Sequence, residues 1–364
     1  MKNLLLTFAI VILATSCSRN NYELSNINED IKANSTIDSS VQKILDDELS
    51  SAVKKFKAKA VGGLVMNANN GEIIAISSLN RAEEAPTNII TSGNYELGSV
   101  FKPITVAAGF DTGKINEKMT FDTTSPMKID RFTITDFMPQ NRPLTASEVL
   151  VYSSNIGASK IAQKVGAVEM YGYYNKLNFF KPLDVEVSNK YSPVKLKGFS
   201  EANLAAASFG HGIAVSPLHV AAAMSAVVNG GLYYQPTLNS KGYNKKPIRV
   251  FSKKTSDIMK SFLRLVVTDG TGTKANVGGY MVGGKTGTAA KILPNGRYSD
   301  KDVVSTFVGA FPMNKPEYLV MIVLDEPKGS TETSGFNTAG WNAAPTAGNI
   351  IAKIAPVLGV KKVN

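Results

Sequence analysis

A serine and a lysine three positions apart, Ser99 and Lys102 in ELGSVFKP (96–103), have types and spacing that could perform covalent chemistry. A serine hydroxyl is a poor nucleophile at neutral pH and needs a neighbouring base to take its proton. Positions i and i+3 of a helix share a face, so a helix that begins near Ser99 would place the amine beside the hydroxyl. Pro103 agrees with that start, because proline is tolerated in a first helical turn. Alone, the pair also fits a helix cap next to a solvated lysine.

Two further stretches carry polar groups that could complete such a site. YSSNIGASK (152–160) places Ser153, Ser154 and Asn155 in a segment of helical spacing. Serine and asparagine are unusual inside a helix, so either they have a special role there or a helix ends. VGGKTGTAAK (282–291) places Lys-Thr-Gly-Thr after two glycines and before a strand-like run, and glycine permits close approach of a ligand or another backbone segment. Taken singly, the first of these stretches also fits a cap and the second a turn.

SxxK, SxN and KTG, in this order, are the signature of penicillin-binding proteins and class A β-lactamases. Longer stretches resemble the transpeptidase domain of class B penicillin-binding proteins of the septal and elongation type: VMNANNGEIIAISS, YELGSVFKPITVAAGFDTGKI, LTASEVLVYSSNIGASKIA, FGHGIAVSPLHVAAAMSAVVNGG and GGKTGTAAK. The resemblance covers about residues 41–360. It implies a peptidoglycan D,D-transpeptidase that cross-links stem peptides through a serine acyl-enzyme and is inhibited covalently by β-lactams.

The resemblance also implies a role for each motif residue. Ser99 would attack the carbonyl of the penultimate D-alanine of a stem peptide, with Lys102 as general base, and release the terminal D-alanine. Ser153 would relay a proton to the leaving group, and Asn155 would orient Lys102 and the substrate amide. Lys285 would set the electrostatics of that relay. The substrate would bind at the residues that follow, Thr286, Gly287 and Thr288. Backbone N–H groups of Ser99 and Thr288 would form the oxyanion hole, and no metal or organic cofactor would be required.

The apolar pattern predicts an α+β fold. Two β-rich hairpins, 62–78 around a turn at 69–71 and 302–326 around a proline-containing turn, flank a region in which helix-like spacing dominates, 99–270. A helix is predicted from Ser39, which together with Gln42 reads as a capping box. We therefore expect a central antiparallel sheet of about five strands flanked by the first and last helices. A mostly helical second lobe would form a cleft with it.

The first 38 residues predict export and anchoring. Residues 1–16 contain an apolar run (4–14) that fits a signal peptide and is too short to span a bilayer. Cys17, the only cysteine, follows LATS and resembles a bacterial lipoprotein processing site; an unprocessed buried thiol is the alternative. Residues 17–38 read as a lipid-anchored polar tether, and 39–364 as the transpeptidase domain. We thus expect the domain on the extracytoplasmic (periplasmic) side of the bacterial cytoplasmic membrane.

The formal charge of +11 favours anionic surroundings, and the stretch 241–254 is entirely basic among its charged residues. No nucleic-acid recognition motif accompanies the charge, so we expect no nucleic-acid partner. The expected partners are stem peptides, β-lactams as covalent inhibitors, the membrane through the N-terminal anchor, and a cell-wall synthesis complex. The chain departs from the family in size, since the short span between Cys17 and Ser39 leaves no room for a pedestal or glycosyltransferase domain.

Two alternative functions share the nucleophile. SVFK resembles the first motif of class D β-lactamases, but those enzymes usually carry valine where this chain has Asn155, and EANLA (201–205) lacks the final asparagine of the class A water-activating segment. A β-lactam sensor, acylated without turnover, would normally have membrane spans after residue 17, and none is visible. His211 and His219 lie in a stretch that matches a structural segment of the family, so we expect neither to be a catalytic base. Trp341 reads as a packing residue or a cleft residue.

Overall fold

The computed structural model describes residues 34–81, 88–187, 198, 200–241, 246–293 and 295–363. The predicted signal peptide, Cys17 and most of the tether lie outside these residues. The α-helices are α1 (Ser39–Lys55), α2 (Lys102–Asp111), α3 (Ala146–Val151), α4 (Asn155–Val165), α5 (Ala167–Lys176), α6 (Glu201–Ser208), α7 (Pro217–Val228), α8 (Lys253–Thr268) and α9 (Ala343–Val357). The strands are β1 (Ala60–Asn67), β2 (Ile73–Asn80), β3 (Thr120–Phe121), β4 (Met127–Ile129), β5 (Phe132–Ile134), β6 (Leu144–Thr145), β7 (Leu232–Tyr233), β8 (Ile248–Arg249), β9 (Gly283–Ile292), β10 (Tyr298–Phe311) and β11 (Tyr318–Asp325).

The expected antiparallel sheet is confirmed, with five strands in the order β2-β1-β11-β10-β9. The predicted hairpins are β1–β2 and β10–β11, and they join because β11 pairs with β1 in the register Gly63↔Ile322. β9 lies at one edge and pairs with β10 in the register Lys285↔Val308. The KTG residues therefore lie within the edge strand itself, not before it.

Hydrophobic cores cover both faces of the sheet. Alternate residues of β11 belong to different cores: Met321 packs with the helical lobe, and Ile322 packs with α1 and α9. Because both faces are buried, β11 reads as an almost continuous apolar run, YLVMIVLD, rather than as an alternating one. Helix α1 packs one face on the sheet, burying Val41, Leu45 and Leu49 among others.

Two details at the start of α1 differ from expectation. The cap is Asp38, whose side chain accepts from Ser40 N and Val41 N, so the predicted capping box of Ser39 and Gln42 is wrong. Gln42 instead bonds the backbone N and O of Ile76 in β2, which fixes the helix on the sheet. Tertiary contact outweighs the local pattern here. Residues 34–38, assigned to the tether, already contact the domain through pairs such as Thr36 N to the Leu238 carbonyl at 3.0 Å.

Helices are the main secondary structure of the region from 102 to 268, as predicted, and the region also contains short antiparallel pairs: β3 with β6, β4 with β5, and β7 with β8. Helix α2 lies inside this lobe and buries nearly all of its residues. No helix in the described part of the chain is both long and apolar enough to cross a bilayer. The turn that leads into α2 (98–101) packs against the edge strand β9, and the candidate site lies between them.

Candidate active site

Ser99 lies in a single 3₁₀ turn, Gly98–Phe101, that leads directly into α2 at Lys102. Pro103 occupies the first turn of α2, as predicted. The Lys102 side chain is completely buried, and its Nζ lies 2.7 Å from Ser99 Oγ. The i, i+3 spacing thus brings the amine to the hydroxyl, as we expected from the sequence.

Glycines allow the neighbouring segments to approach the Ser99 turn closely. A Cβ atom at Gly287 in β9 would lie 2.4 Å from Leu97 O, and one at Gly210 would lie 2.2 Å from Gly98 O. Both distances are far below contact, so any side chain at either position would displace backbone. The glycine of KTG therefore lets the edge strand pack directly against the turn that carries Ser99.

The SxN stretch is a turn between two helices. Helix α3 ends at Val151, Ser154 caps the next helix by accepting from Gly157 N, and Asn155 is the first residue of α4. Ser153 has a φ of +58°, which is uncommon for a residue with a side chain and is tolerated where the surroundings fix it. Both readings of the sequence hold: a helix ends here, and the polar side chains are placed in the site.

The polar partners of Lys102 can accommodate a neutral amine. Its Nζ lies 2.7 Å from Ser153 O and 2.7 Å from Asn155 Oδ1, and both of these oxygens can only accept. The third close partner, Ser99 Oγ, can donate. A neutral amine has two N–H groups and one lone pair. It can donate to both acceptors while its lone pair faces the Ser99 hydroxyl.

Lys285, on β9, contacts Ser153 of the SxN turn. It is fully buried, and its Nζ donates to Ser153 Oγ at 2.9 Å and to Thr286 O at 2.9 Å. Ser153 Oγ is also 3.2 Å from Lys102 Nζ, so this hydroxyl lies between the two amines. The five residues predicted to be catalytic thus form one connected network.

Burial controls the charge of both lysines. Burial, followed by the positive charge of Lys285, holds the pKa of Lys102 well below the usual range of a lysine, whereas Asp136 acts in the opposite direction. Burial lowers the pKa of Lys285 to about 7. A lysine must be neutral to act as a base, and these shifts bring the neutral form to physiological pH.

The two threonines beside Lys285 have different neighbours. Thr288 Oγ1 accepts from Ala339 N at 3.0 Å, which leaves its O–H available as a donor. Thr286 Oγ1 lies 2.5 Å from Thr271 Oγ1. No sequence pattern indicates Thr271, because it lies in a loop after α8 and reaches β9 only through the tertiary fold.

Other contacts around the site were also not predicted. Asp136 accepts from Ser154 Oγ and Ile156 N, and Thr135 O accepts from Asn155 Nδ2. Glu96 accepts from Gly212 N and from the Tyr298 hydroxyl, tying the start of the nucleophile turn to β10. None of these contacts belongs to a short motif, so only the long-range fold reveals them.

The histidines take no part in the network described above. His219 is buried, with Nδ1 2.7 Å from Ser216 Oγ and Nε2 3.0 Å from Lys181 O, and burial lowers its pKa to about 4. His211 lies between the rings of Phe209 and Tyr298.

Trp341 stacks on Phe336 with Lys274 Nζ 4.2 Å from its ring centre. No cluster of three or more potential metal ligands occurs among the residues that the structure describes.

Comparisons with known proteins agree with this arrangement. The family model of the penicillin binding protein transpeptidase domain matches residues 61–352. The chain is 40% identical over 346 residues to a probable peptidoglycan D,D-transpeptidase FtsI of Caulobacter vibrioides, covering 90% of this chain and 59% of that protein. It is 31% identical over 352 residues to stage V sporulation protein D of Bacillus subtilis, covering 90% of this chain and 54% of that protein. The chain thus spans a little over half the length of these relatives.

A solved structure shares the fold over nearly the whole chain. The transpeptidase domain of penicillin-binding protein 3 from Burkholderia pseudomallei superposes with a TM-score of 0.83 and 30% identity, covering 92% of this chain and 98% of that one. The matched range 61–352 contains Ser99, Lys102, Ser153, Asn155 and Lys285. The chain belongs to the penicillin-binding protein transpeptidase domain family.

Proposed function

We propose that this protein is a peptidoglycan D,D-transpeptidase that works through an acyl-enzyme at Ser99. The observation that carries the proposal is the 2.7 Å contact between Ser99 Oγ and a buried Lys102 Nζ whose other partners are acceptors. A buried, neutral amine beside a serine hydroxyl is the arrangement that nucleophilic acyl transfer requires. Membership of the family supports the same conclusion.

In the acylation step, Ser99 Oγ attacks the carbonyl carbon of the penultimate D-alanine of a stem peptide. The hydroxyl proton moves to Lys102 Nζ as the new C–O bond forms. The proton reaches the leaving amine through Ser153 Oγ, which lies within 3.2 Å of both lysine amines. The C–N bond then breaks, free D-alanine leaves, and an ester remains on Ser99.

Residues of β9 would bind the substrate and help to stabilise the oxyanion. The terminal carboxylate of the stem peptide would accept from the hydroxyls of Thr286 and Thr288, with the charge of Lys285 nearby. Backbone N–H groups of Ser99 and Thr288 would stabilise the oxyanion, and a lost donor of this kind costs about 3 kcal/mol in other enzymes. Gly287 lets the strand bring these groups close to Ser99.

In the second step, an amine of a neighbouring stem peptide attacks the ester carbonyl. The amine gives up a proton as its C–N bond forms, and Ser99 Oγ regains one as the ester bond breaks. Lys102 again serves as the proton carrier, now in the reverse direction. The product is a cross-linked pair of stem peptides. β-Lactams would likewise acylate Ser99, with the lactam C–N bond breaking, and would leave an ester that the acceptor amine does not release.

The domain organisation and location are part of the same proposal. Residues 1–16 would be a signal peptide and Cys17 a lipidated N-terminus, with a tether to residue 38 holding the domain at the periplasmic face of the cytoplasmic membrane. A cell-wall synthesis complex would be its setting. Mass spectrometry of the mature N-terminus from a bacterial host tests the anchor. A mature chain that is found in the periplasm without a lipid mass would contradict it.

The enzymatic proposal is tested with stem pentapeptide ending in D-Ala-D-Ala. Wild type should release one D-alanine for each cross-link formed, and Ser99→Ala should release none. Ser51→Ala, an exposed change in α1 on the other side of the sheet, serves as the matched control and should behave as wild type. D-alanine release without cross-links would make the protein a carboxypeptidase, and release by Ser99→Ala would remove the serine mechanism.

A further inference from the structure

Asp136, just beyond β5, directs both carboxylate oxygens at the SxN turn. Its Oδ2 accepts from Ser154 Oγ at 2.6 Å, and its Oδ1 accepts from Ile156 N at 3.0 Å. The preceding carbonyl, Thr135 O, accepts from Asn155 Nδ2 at 2.9 Å. Residues 135–136 therefore hold both the side chain of Asn155 and the first turn of α4.

These contacts bear on the amine of Lys102. Two of its close partners, Ser153 O and Asn155 Oδ1, belong to the turn that residues 135–136 support. The turn also contains Ser153 at a φ of +58°, a conformation that persists only when the surrounding structure fixes it. Loss of the carboxylate would therefore free the turn that aims Lys102 at Ser99.

The charge of Asp136 acts on the same amine. Among the described residues, the charged groups that influence the Lys102 amine are Lys285 from β9 and Asp136, and the neighbouring titratable group from the 209–212 segment is His211. Lys285 lowers the pKa of Lys102, and Asp136 raises it. Asp136 thus partly offsets the effects of burial and of Lys285, which both disfavour an ammonium at Lys102.

We infer that Asp136 is a positioning residue that fixes the Ser153–Asn155 turn and stabilises the ammonium formed at Lys102 when Ser99 gives up its proton. The inference rests on the proposed function, because it concerns that same proton transfer. The proton moves from Ser99 Oγ to Lys102 Nζ, and Asp136 does not itself take the proton in this step. Its negative charge favours the state in which Lys102 has become positive, which is the state that the acylation transition state approaches.

Asp136→Asn separates geometry from charge. The asparagine oxygen can still accept from Ile156 N, and its amide can donate to Ser154 Oγ, so the turn keeps both contacts. The test measures acylation of the full-length chain by benzylpenicillin from pH 5 to 10, resolving the acylation rate constant from the dissociation constant of the preceding complex. We expect the acidic limb of the pH–rate profile to move down by about half a pH unit. The acylation rate constant on the plateau should fall roughly 3- to 10-fold, and the dissociation constant should change little.

Two further variants keep the test decisive. Asp136→Glu retains the charge but cannot place both oxygens identically, so its limb should stay at the wild-type pH while the rate falls. Asp47→Asn removes the same charge from an exposed position on α1, whose residues pack on the other face of the sheet, and should leave limb and rate unchanged. Thermal unfolding of each variant identifies any loss of fold.

The outcomes distinguish failure of the role inferred for Asp136 from failure of the proposed function. If wild type is acylated and Asp136→Asn keeps the wild-type limb, the inference is overturned and the proposed function stands. If wild type forms no adduct at Ser99, the proposed function fails and the inference falls with it. Should Asp136→Asn not fold, a displaced limb in Asp136→Glu overturns the inference, and an unmoved limb with a reduced rate supports it.

Discussion

At the scale of single residues, the site depends on two lysines that burial makes easy to deprotonate. Lys102 and Lys285 are each completely buried, and they share the hydroxyl of Ser153. An ammonium at both positions would place two positive charges in one poorly solvated site. The fold resolves this by lowering the affinity of both amines for protons, which is also what the chemistry requires.

Lys102→Met tests the role of the base. Methionine keeps most of the side-chain volume but cannot accept the proton of Ser99, so we expect the rate of acylation by benzylpenicillin to fall roughly 10²- to 10⁴-fold. Thermal unfolding is measured in parallel, because methionine leaves the acceptors Ser153 O and Asn155 Oδ1 without their donor. Lys164→Met, an exposed change on α4, is the control. Full recovery of the Lys102→Met rate merely on raising the pH would mean that Lys102 only positions groups.

Lys285→Met tests the electrostatic cost of the site. The pKa of Lys285 is about 7 in the folded protein, against a usual value of 10.5, so the unfolded chain binds the extra proton between these pH values. Folding stability therefore rises with pH across this window and is lowest below pH 7. We expect the free energy of unfolding of wild type, relative to Lys285→Met, to rise by roughly 2–3 kcal/mol from pH 7 to 9. Parallel pH curves from denaturant unfolding would show that Lys285 stays charged.

At the scale of elements, the candidate site depends on how closely β9 packs on the turn before α2. Gly287 makes this approach possible, since a Cβ there would lie 2.4 Å from Leu97 O. The turn is also held from the other side, where Gly98 N donates to Gly210 O at 3.3 Å. Strand, turn and loop thus fix Ser99 between them.

Gly287→Ala should separate these elements. We expect stability to fall by about 1–3 kcal/mol and acylation by benzylpenicillin to slow at least about 10-fold, because backbone must move away from Ser99. Gly172→Ala is the matched control, because a Cβ in that part of α5 meets nothing within 4 Å. Alanine there should stabilise the helix by about 0.5–1 kcal/mol. Equal effects of the two changes on acylation would contradict the proposed role of close strand packing.

At the scale of the whole molecule, the sequence predicts that the early and late hairpins share one sheet. It does not predict the order of the strands or the long-range contacts of single side chains. SxxK is readable because one helical turn carries both Ser99 and Lys102, and the hairpins are readable from their turns and apolar runs. The insertion of β11 between β1 and β10 joins segments far apart in the chain. The contacts of Asp136, Thr271 and Glu96 with the site likewise arise only from tertiary packing, and no spacing rule indicates them.

The same distinction explains why the predicted capping box at the start of α1 was wrong. Ser39 and Gln42 have the types and spacing of a capping box, but Gln42 bonds Ile76 in β2 and Asp38 supplies the cap. A local pattern predicts which residues can cap a helix, and the sheet beneath the helix decides which of them does. In the active site both levels agree, because the motif residues also converge in the tertiary fold.

The most direct test of the central claim is intact-mass spectrometry of the full-length chain mixed with benzylpenicillin, followed over hours and mapped by peptide digestion. The account predicts a single covalent adduct on Ser99 that persists for many minutes and is absent from Ser99→Ala. An adduct that clears in seconds while hydrolysed drug accumulates would instead make the protein a β-lactamase. No adduct on wild type, or an undiminished adduct on Ser99→Ala, would contradict the assignment of Ser99 as the nucleophile.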